Sequence, residues 1–123
     1  MRAALLLALL ALLVGCSPLP TLPAPGDWHA ESLPAGVLAE ADLVGQRVAY
    51  SPALLDLPPP VVAAVVLHEV CHLRGSVSEA AADCCAAEGY ARLYGDAAAA
   101  EIAAAWVDLG ELERAAAWVW CRP

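Results

Sequence analysis

The chain has 123 residues, room for one small domain. Hydrophobic residues make up 61% of it, lysine is absent, and the formal net charge is -8. No basic face is available to track phosphates, which excludes nucleic acid as a partner, and the acidity adds a mild bias against anionic substrates.

Residues 1–15 read as a processing segment. Arg2 supplies positive charge, and Ala3 to Val14 is an unbroken apolar run. That run is too short to span a bilayer as a helix, which takes roughly 20 apolar residues. It ends in Leu13-Val14-Gly15-Cys16, which resembles the bacterial lipobox. The resemblance implies a lipoprotein signal peptide, acylation of Cys16 and attachment to a membrane through lipid. The competing reading is an ordinary secretory signal containing a cysteine. Both place the protein outside the cytoplasm, and the lipoprotein reading places it at the cell envelope.

Residues 16–34 are rich in proline and lack helical or strand periodicity, so they read as an extended spacer. His29 lies there and is assigned no role. The remaining 35–123 form the domain. Gly36 to Asp42 reads as a short helix or turn. Gly45 to Ser51 has a strand-like centre. Pro52 and the triple proline 58–60 break the chain, and Pro60 suits the first turn of a helix running to Leu73, with Gly75 as its stop. A second helix starts near Ser76 or Ser78 and ends about Tyr94. Asp96 is the expected N-cap of the last segment. Ile102, Ala105, Trp106, Leu109, Leu112, Ala116 and Val119 give that segment an amphipathic stripe, with Gly110 as an interruption. The expected fold is mostly α with a short β element, an α+β domain with three principal helices.

With Cys16 lipidated, Cys71, Cys84, Cys85 and Cys121 remain. An even number in an oxidising compartment suggests two disulfides. Adjacent Cys84 and Cys85 are poor partners for each other, so each is expected to reach a different one of Cys71 and Cys121. Free thiols or metal ligands are the alternative.

His68-Glu69-Val70-Cys71-His72 is H-E-x-x-H. On a helix, residues four apart share a face, so both imidazoles reach one Zn2+ at about 2.0–2.1 Å. Glu69 sits beside the metal, placed as the general base that takes a proton from an activated water. Val65, Val66, Leu67 and Val70 make the flanks apolar, and a polar trio in such a helix needs a reason, since burying unpaired polar groups costs several kcal/mol. The competing reading is two core histidines satisfied by carbonyls, with Glu69 exposed.

A catalytic zinc keeps three protein ligands and an open position. Candidates for the third are Glu79, Asp83, Glu88 and the cysteines. Glu79 and Asp83 are four apart and face one way on the second helix, one as ligand and the other as acceptor of a ligating histidine's N–H. Ser76-Val77-Ser78-Glu79 also fits a capping box, in which Glu79 would bond backbone N–H groups. If Glu79 only caps, Asp83 becomes the ligand. A structural Cys/His zinc site can be drawn with Cys71, Cys84 and Cys85. The metzincin pattern fails, because its last histidine position falls on Ser78 and the only methionine is Met1.

H-E-x-x-H followed by Glu79-Ala80-Ala81-Ala82-Asp83, an E-x-x-A-D string, resembles the gluzincin metallopeptidases, and the chain's size is similar to that of the minigluzincins. The resemblance covers about residues 45–90. It implies a compact zincin-like domain with an active-site helix, in which His68, His72 and Glu79 bind zinc and Asp83 supports His68 or His72. It also makes Arg47 to Ser51 look like the clan's edge strand, which takes an extended peptide by β-augmentation. The interval between His72 and Glu79 is shorter than is usual in that clan, so Gly75-Ser76 must turn tightly, and Arg74 stands where the clan shows an apolar residue. Tyr50, Tyr90 and Tyr94 are aromatic candidates to which no catalytic role is given.

The expected function is zinc-dependent hydrolysis of a peptide or protein substrate at the envelope. The alternative is a non-catalytic lipoprotein, stabilised by zinc or disulfides, that acts as an interaction module. A C-terminal helix carrying Trp106, Trp118 and Trp120 over the cleft would make the enzyme latent.

Overall fold

The structure is a computed structural model that describes residues 28–30 and 33–121. The signal segment, Cys16 and most of the proline-rich span lie outside the described residues. Three short strands come first: β1 (Trp28–Ala30), β2 (Ala39–Asp42) and β3 (Arg47–Tyr50). A 3-10 turn at Pro52–Asp56 follows, then α1 (Pro59–Leu73), α2 (Glu79–Tyr94), α3 (Asp96–Asp108) and α4 (Leu112–Trp120). The domain is small and mostly helical, and its β2–β3 hairpin lies near the N-terminus. Among the described residues no helix is long and apolar enough to cross a membrane.

The sheet order is β1-β3-β2, with β1 parallel and β2 antiparallel to β3. Two expectations change here. Gly36 to Asp42 does not form a helix: Ala39–Asp42 is a strand, with Ala39 opposite Tyr50 and Asp42 opposite Arg47. Alanine, glutamate and aspartate are poor strand formers, and pairing with β3 overrides their preference. Arg47–Tyr50 is the central strand, not an edge, because Trp28–Ala30 from the expected spacer pairs along its other side. The free edge nearer the helices belongs to β2. The Asp42 carboxylate closes the hairpin turn by accepting from the Gly45 N–H at 2.8 Å and the Arg47 Nε–H at 3.2 Å.

α1 begins at the triple proline, as expected, since first-turn residues need no N–H. Its end is set by Gly75, whose φ of +110° is a left-handed conformation that suits glycine. Ser78, not Ser76, caps α2: its side chain accepts from the Ala81 N–H at 3.1 Å. Gly95, not Asp96, is the N-cap of α3, and Asp96 is its first residue.

The core is built from small residues in close helix contact. Ala64 of α1, Ala82, Ala86 and Ala87 of α2, Ala99 and Ala103 of α3 and Ala115 of α4 are buried around Leu54, Val66, Leu67, Ile102, Trp106 and Trp118. The expected C-terminal stripe does not continue past Gly110. That residue adopts φ +80° and divides the segment into two helices with separate faces. Ile102 and Trp106 are buried as expected, whereas Leu109, Leu112, Ala116 and Val119 are exposed. Ala115 and Trp118 are the residues α4 buries.

The disulfides are Cys71–Cys85, joining α1 to α2, and Cys84–Cys121, joining α2 to the end of α4. The adjacent cysteines take different partners, as expected. Among the described residues no thiolate is left for a Cys/His zinc site.

Candidate functional site

α1 places His68 and His72 one turn apart, on the side facing the start of α2. His68 is only 4% exposed, and its neighbours Val65, Val66 and Leu67 anchor the helix in the core. α2 begins immediately after the tight turn at Gly75-Ser76, which brings its first residue, Glu79, opposite both rings. One turn further along, the buried Asp83 stands behind His68.

Ring orientation follows from the outer hydrogen bonds. His72 Nδ1 lies 2.8 Å from the Ser76 carbonyl oxygen, which can only accept, so Nδ1 carries the proton. His68 Nδ1 donates to Asp83 Oδ1 at 2.7 Å. With each Nδ1 facing an outer acceptor, both rings turn Nε2 inward, and the two Nε2 atoms are 3.1 Å apart. Glu79 completes a triangle, with Oε2 3.0 Å from His68 Nε2 and Oε1 3.2 Å from His72 Nε2. Two ring nitrogens and a carboxylate thus converge within hydrogen-bond distance of one another, an arrangement able to hold a cation. Four-coordinate zinc with ligands at about 2.0–2.2 Å has ligand–ligand edges of about 3.3–3.6 Å, slightly longer than those found. Among the described residues, His68, His72 and Glu79 are the group able to hold a metal. The donor set, two imidazoles and one carboxylate, fits zinc, and the open side faces the cleft, where the Glu79 side chain is 75% exposed.

Each outer group has a stated job. Asp83 lies outside the His68, His72 and Glu79 group and accepts from His68 Nδ1. Glu79 is not the third residue of a capping box, because the cap is Ser78. Glu88 turns away, with Arg92 3.9 Å from it. Burial disfavours a charge on His68, yet the hydrogen bond and charge of Asp83 outweigh it and raise the ring's pKa above 6.5; Arg114 opposes the rise and Glu69 adds to it. Glu69 is half-buried beside the triangle. Desolvation lifts its pKa above 4.5, against the pull of His68 and His72 and with help from Glu79, while the Ala41 backbone N–H steadies the carboxylate.

Arg114 of α4 is a part of the site that sequence reasoning missed. Its Nε is 3.0 Å from Asp83 Oδ1, and its Nη2 is 3.8 Å from Glu79 Oε2. The Nε–H is aimed off the line to Asp83, so the contact is an ion pair rather than a hydrogen bond. The guanidinium carbon lies 5.0 Å from the centroid of the Trp106 ring. The one available signal was its rarity, an arginine among six in a chain without lysine.

The triangle opens into a cleft of about 1030 Å³. Residues 36–41, including the free edge of β2, form one wall, and Leu73, Val77 and Leu109 supply apolar surface opposite. Trp106 lines it, Trp118 is in the core and Trp120 is exposed. Tyr90 is buried against Tyr94 and Trp118. Comparison with protein-family models, curated proteins and solved structures returned no match.

Proposed function

We propose that the protein is a zinc-dependent peptidase of gluzincin type, with a zincin-like arrangement in which His68, His72 and Glu79 hold the metal. The observation that carries this reading is the convergence of two Nε2 atoms and a carboxylate, with both Nδ1 atoms already facing acceptors elsewhere. Bound zinc would polarise a carbonyl and acidify water. The chain's own groups supply the rest. Glu69, raised in pKa by burial and reached by the Ala41 N–H, takes the proton of the attacking water and passes it to the departing amine nitrogen. Asp83 keeps His68 in its working tautomer. The outer edge of β2, rather than β3, offers those backbone groups that Glu69 does not engage to an extended peptide lying in the cleft. The two disulfides suit an oxidising compartment, in keeping with an envelope lipoprotein anchored at Cys16.

The test is zinc content of the purified protein beside a His68→Ala/His72→Ala variant, followed by hydrolysis of a quenched-peptide library with Glu69→Gln as control. The reading expects about one zinc per chain, lost in the double variant, and peptide cleavage that Glu69→Gln abolishes while keeping the metal. No zinc in well-folded protein offered the metal would overturn it. Zinc without cleavage would instead make the chain a non-catalytic envelope module.

A further inference from the structure

The carboxylates around the two histidines need a counter-charge even before any ion arrives. Asp83 is almost fully buried, and a carboxylate there is costly unless it is paired. Its Oδ1 takes the His68 Nδ1 proton at 2.7 Å and meets Arg114 Nε at 3.0 Å. The same guanidinium reaches toward Glu79 at 3.8 Å and rests over the Trp106 ring, which limits its rotation. Arg114 stands near the start of α4. The far end of that helix is tied by Cys121 to Cys84, the residue next to Asp83. The arginine is thus held to α2 both through its own ion pairs and through the covalent link of its helix.

Resting on the zinc reading above, we infer that Arg114 is a positioning residue for the metal site. It keeps Asp83 on His68 Nδ1 and keeps Glu79 turned toward the two Nε2 atoms, so the ligand set stands assembled in the metal-free protein.

The sign of the effect separates this role from a bystander's. A cation beside a divalent-ion site repels the ion, so an arginine that acted only through its charge would weaken metal binding, and removing it would tighten zinc. A positioning arginine does the reverse. Without it Asp83 is free to leave His68, and Glu79, already largely exposed, swings into the cleft. Zinc must then reorder both groups on binding. Loss of such an outer partner costs about 10–100-fold in metal affinity.

The experiment measures zinc affinity by chelator competition on the full chain for wild type, Arg114→Gln and Arg114→Lys. Thermal unfolding of each zinc-free protein runs alongside. We expect Arg114→Gln to bind one zinc about 10–100-fold more weakly, with Arg114→Lys, which keeps the charge but loses the planar fork, falling between. Equal or tighter zinc binding by Arg114→Gln overturns the inference. So does an equal loss in both variants that follows a common fall in zinc-free Tm, because that pattern marks a packing role. If Arg114→Gln does not fold, Arg114→Lys decides by the same sign. Wild-type protein that binds no zinc sinks the peptidase reading and this inference together, whereas zinc-binding wild type with an unaffected Arg114→Gln sinks this inference alone.

Discussion

Replacing Cys71 and Cys85 with alanine tests how the two helices that carry the site are held. The disulfide spans a sequence separation of 14. Closing a loop of about 15 residues removes chain entropy worth about 3 kcal/mol at 25 °C. Small domains have roughly 5–15 kcal/mol of net stability, so the loss is a large share of the total. For a domain of this size each kcal/mol moves Tm by about 4–8 °C, which gives an expected fall of roughly 12–24 °C. The alternative clamp is weak. Ala64, Ala82 and Ala86 are buried close to the α1–α2 contact, and an alanine side chain buries little apolar area. His68 and His72 ride on α1, Glu79 and Asp83 on α2, so loosening the pair also disperses the acceptors that face one another. Zinc affinity should fall together with Tm. The assay is thermal unfolding by circular dichroism with and without zinc, repeated on wild type treated with reductant. A Tm fall below about 4 °C, with zinc affinity unchanged, would refute the reasoning and show that side-chain packing alone sets the helix spacing.

Asp83→Asn should keep the fold but weaken zinc by about 10–100-fold, because a neutral amide oxygen accepts from His68 Nδ1 more weakly than a carboxylate and no longer pairs with Arg114; chelator competition checks it. Zinc-free protein should lose stability as pH rises. His68 and Glu69 both have folded pKa values above their ordinary 6.5 and 4.5, so each adds stability that is complete below the ordinary value and vanishes as pH climbs through the raised one. Its Tm should therefore fall as pH rises above 4.5 and again above 6.5, and a rise there would contradict the assignment. Leu54→Ala, at a fully buried position in the 3-10 turn, should cost about 2–5 kcal/mol in denaturant unfolding without changing zinc stoichiometry.

What could be read in the sequence was local. H-E-x-x-H needs only helical spacing, and Val65 to Val70 supply an unambiguous apolar frame for it. The prolines at 58–60 and Gly75 bound α1 through backbone constraints that act within a turn. Adjacent Cys84 and Cys85 limited the disulfide pairings because one cannot easily reach the other. The N-terminal boundaries of α2 and α3 were less secure. Two serines compete for the α2 cap, and a glycine displaced Asp96 at α3. β2 could not be read, because Ala-Glu-Ala-Asp has no strand signal and becomes a strand only by pairing with β3.

The same contrast explains the two features of the site that spacing could not decide. Glu79 fits a capping box as the end of Ser76-x-x-Glu79 and a ligand as the start of Glu79-x-x-Ala82-Asp83, and the need for a third ligand favours the second. The choice turns on which serine the backbone presents to the helix start. Once Ser78 bonds the Ala81 N–H, Glu79 occupies the first helical position and its carboxylate is released toward the imidazoles. Arg114 is harder still, because its partners lie about thirty residues earlier in the chain. The amphipathic pattern placed Leu112, Ala116 and Val119 inward, which would have turned Arg114 elsewhere. It fails because Gly110 breaks the register between α3 and α4. With Ala115 and Trp118 as the buried pair, Arg114 comes to the edge of that face, against Trp106 and Asp83. The break at Gly110 thus goes with a turn of α4 that sets Arg114 beside the site.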